Sequence, residues 1–194
     1  KVSFIGAQGQ EINEEVCVTI AAQSCLLIAN QDQYVFRKLH TIIVYPKAYR
    51  LEYTHLKGVV LGQSNIDGTV ILSWDNSLHS GKNWQDGRNV ILHEMAHQLD
   101  QEDGNTDGIP YHSLESCKKT WSLTLWKEYQ RLCTQKTKKK KKDVLDFYGT
   151  TNVPEFFSCA TEAFFEKPRQ MSKRHPALFA ELKSYYKVNP IDWV

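Results

Sequence analysis

Residues 89–100 are Asn-Val-Ile-Leu-His-Glu-Met-Ala-His-Gln-Leu-Asp and contain a His-Glu-x-x-His motif. Because residues four apart on an α-helix lie on nearly one line, His93 and His97 can each turn a ring nitrogen towards one metal ion. Glu94 follows His93, so its carboxylate can reach a water on that metal without binding the metal itself. This spacing is typical of zinc hydrolases, which carry two imidazole ligands and a general base on one helical turn.

The residues around the motif favour a helix. Val90–Leu92 are apolar, Asp86–Asn89 supply a helix start, and the glycine-containing loop Asp103–Gly108 ends the segment. Asp100 follows at helical spacing on the same side, where it can hydrogen-bond a ligand imidazole from behind. The alternative is a buried helix whose two histidines are satisfied by hydrogen bonds and bind nothing.

Composition limits the class of protein. A chain of 194 residues predicts one domain, with a sheet-containing lobe at about 1–110 and a helical lobe at about 111–194. The hydrophobic content of 41% is ordinary for a soluble globular protein, and a net charge of +2 indicates neither a nucleic-acid nor a membrane partner. Five cysteines without Cys-x-x-Cys spacing favour reduced thiols, and no apolar run could span a membrane, so we expect a cytoplasmic location.

Periodicity predicts an α+β fold, in which a small mixed sheet packs on the metal-binding helix and the C-terminal part is mainly helical. Helices are predicted within 11–30, over 113–134 with Ser113 as cap, from the Asn152 cap onwards, and over 176–188. Strands are predicted over Thr41–Tyr45, Val59–Gln63 and Thr69–Trp74, with a hairpin-type turn at Ser64–Gly68 and a polar loop at Asp75–Arg88.

Two segments suggest binding surfaces. The strand ending in Leu72, Ser73 and Trp74 precedes the metal helix, and an edge strand there could bind an extended peptide substrate by main-chain hydrogen bonds. An ordinary inner strand is the open alternative. Residues 136–142 hold six lysines, which favour a solvated loop, with a docking patch for an acidic partner as the alternative. His79 is expected at the surface and not as a ligand.

A catalytic zinc needs a third protein ligand and one open position. Glu155 and Glu162 lie two turns apart on one side of the predicted phenylalanine-rich helix, and buried carboxylates there need a partner. Glu166 lies four residues after Glu162 and could act as a supporting carboxylate behind it. The residue four positions after Glu155 is Cys159 instead. The residues alone leave the choice between Glu155 and Glu162 nearly even.

The combined motifs resemble one family across nearly the whole chain, from Phe4–Gly9 to Tyr185–Tyr186. Three motifs carry this resemblance: the sequence His-Glu-Met-Ala-His-Gln-Leu-Asp at residues 93–100, the segment Asp107–Pro110, and a tyrosine, Tyr148, seven residues before Glu155. Together they resemble the Mlc titration factor A family of zinc peptidases. Toxin metallopeptidases of the lethal-factor type are similar only around the two zinc segments.

The resemblance implies a zincin-like fold and one Zn²⁺ per chain, held by His93, His97 and Glu155. Glu94 would then be the general base, Tyr148 a hydroxyl that supports the transition state, and Glu162 a structural or ligand-orienting residue. The implied activity is peptide-bond hydrolysis of the aminopeptidase type, using a zinc-bound water. The resemblance also implies a regulatory role, since family members bind the glucose-responsive transcription repressor Mlc and keep it from DNA.

Overall fold

The computed structural model describes residues 1–31, 36–50, 59–111, 115–138 and 143–193. The strands are β1 (Ser3–Gly6), β2 (Thr41–Tyr45), β3 (Tyr49–Arg50), β4 (Val59–Val60), β5 (Gly62–Ser64) and β6 (Thr69–Ser73). The helices are α1 (Glu14–Leu26), α2 (Trp74–Lys82), α3 (Val90–Asp100), α4 (Glu115–Thr137), α5 (Val153–Glu166), α6 (Pro168–Arg174) and α7 (Pro176–Tyr186). Short 3-10 helices span Gln101–Asp103, Phe147–Thr150 and Pro190–Trp193. The fold is α+β, as predicted.

The main sheet has four strands in the order β1-β2-β6-β5. β1, β2 and β6 are parallel, and β5 runs antiparallel to β6, so the sheet is mixed as predicted. Alternate residues of a strand point to opposite faces, and Ile42, Val44, Val70 and Leu72 bury one face in the core. α3 packs against β5 and β6, which brings the helix that carries the His-Glu-x-x-His motif next to the edge of the sheet.

Two strand predictions need correction. The predicted strand 59–63 consists of two short strands, because β4 pairs with β3 and β5 pairs with β6. The expectation that the strand ending in Leu72, Ser73 and Trp74 is an edge strand is wrong. β6 lies between β2 and β5, Leu72 and Ser73 are fully buried, and Trp74 begins α2. Within the described residues the edge of this sheet beside α3 is β5.

The predicted loop Asp75–Arg88 contains a helix, α2. Its serines and asparagine favour turns in isolation, which is why the sequence suggests a loop. In the fold, the small side chains of Ser77 and Ser80 are buried between α2 and its neighbours. Asp75 lies in the first turn, where a negative charge is favoured by the helix dipole. Tertiary packing therefore overrides the local preference.

The core lies between α3 and α5, with α4 and α7 packed around them. Every residue of α5 from Phe156 to Glu166 is buried. Burying one phenylalanine side chain contributes roughly 1.5–3 kcal/mol, so this helix contributes much of the hydrophobic stabilisation. The predicted inner face of α4 is confirmed, since Trp121, Leu125 and Leu132 are buried and Tyr129 packs against the core.

Some predictions fall on residues outside the described ranges. The proposed cap Ser113 lies there, as do Lys139–Lys142 of the lysine run. Lys136 and Thr137 end α4, and both are exposed. Among the described helices none combines the length and the apolar character needed to cross a bilayer.

Candidate metal centre

α3 positions both histidines of the motif. Asn89 caps the helix, because its side-chain oxygen accepts a hydrogen bond from the Leu92 amide at 3.0 Å. One turn further on, the rings of His93 and His97 lie 5.0 Å apart, edge to face. The four-residue spacing thus brings the two imidazoles side by side, and both lie next to α5.

α5 brings Glu155 to the two rings. Asn152 caps this helix as predicted, accepting a hydrogen bond from the Glu155 amide at 2.8 Å and so fixing the first turn. Glu155 Oε2 lies 2.9 Å from His93 Nε2 and 3.4 Å from His97 Nε2. Three potential ligand atoms from two helices therefore converge on one point.

Glu162 lies on the other side of the same ring. Its Oε2 is 2.9 Å from His93 Nδ1, and its Oε1 accepts a hydrogen bond from the Asn89 amide at 2.7 Å. The two glutamates that the sequence could not rank thus occupy different positions. Glu155 lies beside His93 Nε2 and His97 Nε2. Glu162 is hydrogen-bonded to His93 Nδ1, at the opposite edge of the ring, and so orients the ring.

The carboxylates dominate the electrostatics of the site. Burial alone would lower the pKa of His93, but Glu162 and Glu155 on either side of the ring raise the pKa of His93 well above its usual range. Burial would raise the pKa of Glu155, yet hydrogen bonds from His93 and His97 outweigh it and lower the pKa. The carboxylates therefore favour positive charge on the adjacent imidazoles, and the imidazoles favour the ionised form of Glu155.

The donor set fits a zinc ion. Zinc takes histidine nitrogen at about 2.0–2.1 Å and carboxylate oxygen at about 2.0–2.2 Å in tetrahedral geometry, which separates neighbouring ligand atoms by roughly 3.3–3.5 Å. The distances of Glu155 Oε2 from the two histidine nitrogens, 2.9 and 3.4 Å, lie close to that value. Small side-chain movements would therefore place His93, His97 and Glu155 around one ion.

Glu94 is buried directly beside this group. Burial raises the pKa of Glu94, although the neighbouring His93 and His97 act in the opposite direction. The backbone of β5 passes so close that a Cβ added at Gly62 would lie 2.6 Å from Glu94 Cγ. Gly62 is therefore needed for close approach of the strand, which leaves Glu94 between the sheet edge and the histidines.

Tyr148 completes the described surface of the site. Its ring lies 6.0 Å from the ring of His93, and its hydroxyl is 3.5 Å from Glu155 Oε1. Two cavities, of about 450 and 740 Å³, meet at a shared border formed by five residues. These residues are Gly62, Gln63, His93, Glu94 and Tyr148. A substrate chain could therefore occupy space on both sides of Glu94.

Two further candidates have different surroundings. Asp100 is fully buried, and burial raises its pKa to about 6. Within the described part of the chain its oxygens have no hydrogen-bond partner of standard geometry, so the expected bond to a ligand imidazole is not formed. His79 is exposed, as predicted, and lies 3.7 Å from Asp86 at the wall of the larger cavity.

Sequence reasoning missed the contacts that hold the start of α3. Glu166 accepts hydrogen bonds from the Gly87 and Arg88 amides and from the Asn89 side chain, instead of supporting Glu162 directly. Arg88 also pairs with Asp146 at 2.7 Å, which ties the loop before α3 to the segment that carries Tyr148. Such contacts between distant segments leave no local pattern. Gly62 did leave one, because a glycine within a strand indicates close approach of another group.

The paired helices, the converging donors and the buried carboxylate are those of a metallopeptidase-type protein. The chain belongs to the family described as Glucose-regulated metallo-peptidase M90, whose model matches residues 1–187. It is 35% identical to "Uncharacterized protein slr2042" of Synechocystis sp., over 97% of this chain and 72% of that protein. It is 27% identical to "Mlc titration factor A" of Salmonella agona, over 96% of this chain and 74% of that protein. The same-named protein of Edwardsiella ictaluri is 29% identical over 78% of this chain.

Proposed function

We propose that the chain is a zinc-dependent peptidase of the aminopeptidase type with a zincin-like fold. The observation that carries the zinc proposal is the convergence of His93, His97 and Glu155 beside the buried Glu94. The aminopeptidase form rests on the family resemblance. All five cysteines are unpaired, which supports a reducing compartment such as the cytoplasm.

In this proposal His93, His97 and Glu155 hold one zinc ion, and Glu162 orients His93 through Nδ1. Zinc bound there supplies a Lewis acid, which lowers the pKa of water to about 7 and polarises the scissile carbonyl. Asp100, three residues after His97 on α3, is the candidate for supporting His97 from behind.

Glu94 is the proposed general base. Its carboxylate takes a proton from the attacking water and passes it to the leaving amine. Tyr148, at the exposed side of the site, donates a hydrogen bond to the carbonyl oxygen as negative charge develops there. A well-placed donor of this kind contributes roughly 3 kcal/mol to transition-state stabilisation.

β5 takes over the substrate role first expected for Leu72, Ser73 and Trp74. It is the strand next to the site, and Gly62, Gln63 and Ser64 all line the smaller cavity. An extended peptide that paired with the outer edge of β5 would pass directly over Glu94. The two cavities would then receive side chains from opposite sides of the scissile bond.

The test is a metal analysis combined with a substrate panel. We expect one zinc per chain, hydrolysis of amino-acid anilides, loss of hydrolysis with a chelator, and recovery with zinc. A matched set of peptides with free and blocked amino termini separates the two forms of peptidase. Preference for blocked peptides would overturn the aminopeptidase form, and absence of hydrolysis by the zinc-loaded protein would overturn the peptidase proposal.

A second candidate function is binding of a transcription repressor similar to Mlc, with or without peptidase activity. It is supported by the relatives named Mlc titration factor A. A pull-down with a purified Mlc-type repressor, using the wild type and Glu94→Gln, separates the two functions. Retained binding by the inactive variant would show that the functions are independent, and no binding by either form would remove the second candidate.

A further inference from the structure

A second set of donor atoms lies behind the proposed zinc ligands. One ring nitrogen of His93, Cys159 Sγ and a Glu162 carboxylate oxygen all lie within 4.8 Å of one another. Cys159 and Glu162 are three residues apart on α5, which puts both side chains on the same face of that helix. Glu162 contacts His93 at Nδ1, which is not the ring nitrogen that contacts Glu155.

This cluster has its own access route. Cys159 and Glu162 line the larger cavity, of about 740 Å³, together with Asn89 and Asp146. Glu155 and His97 line the smaller cavity. His93 borders both cavities and lies between the two donor sets. A small cation could therefore reach the cluster while the first donor set is occupied.

We propose that His93, Cys159 and Glu162 form a second, weaker site for a thiophilic divalent cation such as Zn²⁺ or Cd²⁺. A thiolate, an imidazole and a carboxylate are the ligands that such ions prefer, and three protein ligands leave a position for water. The cysteine sets this site apart from the first one, which has only nitrogen and oxygen donors. It gives the second site the greater preference for soft cations.

Binding at the second site has a proton cost. The cation replaces the proton on the Cys159 thiol and the proton on His93 Nδ1, and both protons are released to solvent. With the first site occupied, His93 then bridges two cations through its two nitrogens. It also gives up its hydrogen bond to Glu162. For both reasons the second cation binds more weakly than the first. Its binding also perturbs the His93 imidazole, which is a ligand of the first cation.

Cys159 differs from the other cysteines of the chain. Cys17, Cys25, Cys117 and Cys133 are exposed or half-buried, and none of them belongs to a group of three potential ligands in the described residues. Among the described residues, Cys159 is the one cysteine that is buried next to a histidine and a carboxylate. This contrast supplies the matched control for the experiment, because another cysteine can be replaced without touching either site.

The test is a Co²⁺ titration of the metal-free full chain, followed by absorption spectroscopy. Cobalt bound to a thiolate has an intense near-ultraviolet charge-transfer band that cobalt bound by nitrogen and oxygen lacks. We expect no such band with the first equivalent of Co²⁺ and its appearance with further equivalents. Cys159→Ser should lose the band and keep the first equivalent, whereas Cys133→Ser should behave like the wild type.

The outcomes separate this proposal from the proposed function. A band that never appears, or that persists in Cys159→Ser, overturns the second site and leaves the peptidase proposal intact. A band with the first equivalent overturns the order of filling, and with it the assignment of Glu155 as a ligand of the tighter site. Absence of peptidase activity would not change the spectroscopic result. If the peptidase proposal holds, excess Cd²⁺ should inhibit the wild type and Cys133→Ser more strongly than Cys159→Ser.

Discussion

Two histidines in this molecule, one of them half-buried and the other fully buried, are each held between two carboxylates. His93 lies between Glu155 and Glu162, at 2.9 Å from each. His175, at the junction of α6 and α7, lies between Glu128 and Asp143, at 2.6 Å from each. The surroundings differ, because His93 has a second imidazole beside it and borders two cavities, whereas His175 is completely enclosed.

The difference shows that a carboxylate–histidine–carboxylate cluster does not by itself define a functional site. Around His175 the protonated imidazole and Arg131, which lies 3.2 Å from Glu128, together balance the charges of the two carboxylates. This cluster joins α4, the segment that begins at Asp143, and the start of α7. Around His93 the donors converge with those of His97 at an accessible border between cavities. We therefore interpret the His175 cluster as one that stabilises the fold and the His93 cluster as part of the proposed metal site.

Replacing Glu94 by Gln should produce the largest functional effect. The amide keeps the shape of the side chain but cannot accept a proton, and general-base catalysis contributes roughly 10²–10⁴-fold to rate. We expect kcat to fall by that factor and the zinc content to stay at the wild-type level. Kinetics and metal analysis of the same sample check both. Glu11→Gln, at an exposed position, is the control, and full activity of Glu94→Gln would refute the proposed role.

His175→Gln should chiefly reduce stability. It removes the imidazolium that Glu128 and Asp143 share, although Glu128 keeps its contact with Arg131. Breaking a buried ion pair costs about 3–5 kcal/mol. Urea unfolding should show this loss, while the folded variant still binds one zinc ion. His79→Gln is the matched control, because His79 is exposed and its replacement should change the free energy of unfolding by less than about 0.5 kcal/mol. Loss of zinc with unchanged stability would reverse our interpretation of the two clusters.

Gly62→Ala should reduce activity without removing the metal. The added Cβ would lie 2.6 Å from Cγ and 2.7 Å from Oε1 of Glu94, so the base must move. A displacement of about 1 Å can reduce turnover by roughly 10²-fold. Gly81→Ala is the control, since Gly81 lies in α2 and the nearest atom to an added Cβ belongs to the flexible Gln23 side chain at 3.1 Å. Unchanged kcat in Gly62→Ala would mean that β5 does not position Glu94.

The smallest effect is on the pH dependence of stability. Burial would lower the pKa of His175, but Asp143 and Glu128 raise it. The contribution of His175 to the free energy of unfolding is therefore complete below about pH 6.5, and it is lost as the pH rises through the raised pKa. Hydrogen bonds from His175 outweigh burial and lower the pKa of Asp143 and of Glu128. Their contribution is complete above about pH 4.5 and is lost as pH falls.

The stability difference between the wild type and His175→Gln should therefore be greatest between about pH 4.5 and 6.5. Urea unfolding at a series of pH values measures it. A difference that grows steadily above pH 7 would show that His175 is neutral in the folded protein.

The sequence predicted the elements that follow a regular period. The motif helix, the Asn152 cap and the inner face of α4 are confirmed, because helical spacing and capping chemistry are local properties. Strand neighbours are not local, so the edge position predicted for the strand at Leu72 was wrong. The helix α2 was missed because Ser77 and Ser80 have little helical preference by themselves. They are helical here because they pack against neighbouring elements.

The candidate site was predictable in kind but not in arrangement. Spacing in the sequence predicted the two histidines and both candidate glutamates, and the family resemblance added Tyr148. Spacing along α5 could not assign the glutamates to opposite sides of one ring. That assignment depends on how α3 and α5 are aligned, which is set by packing between distant segments. The proximity of Cys159 to His93 depends on the same alignment.

The central claim is that His93, His97 and Glu155 hold the more tightly bound zinc ion, and that Glu162 orients His93 without binding that ion. Zinc content after purification of Glu155→Gln and Glu162→Gln tests it most directly. We predict one zinc per chain in the wild type and loss of zinc in Glu155→Gln. Glu162→Gln should still bind zinc, with affinity reduced by about 10–100-fold. Loss of zinc from Glu162→Gln alone would contradict the account.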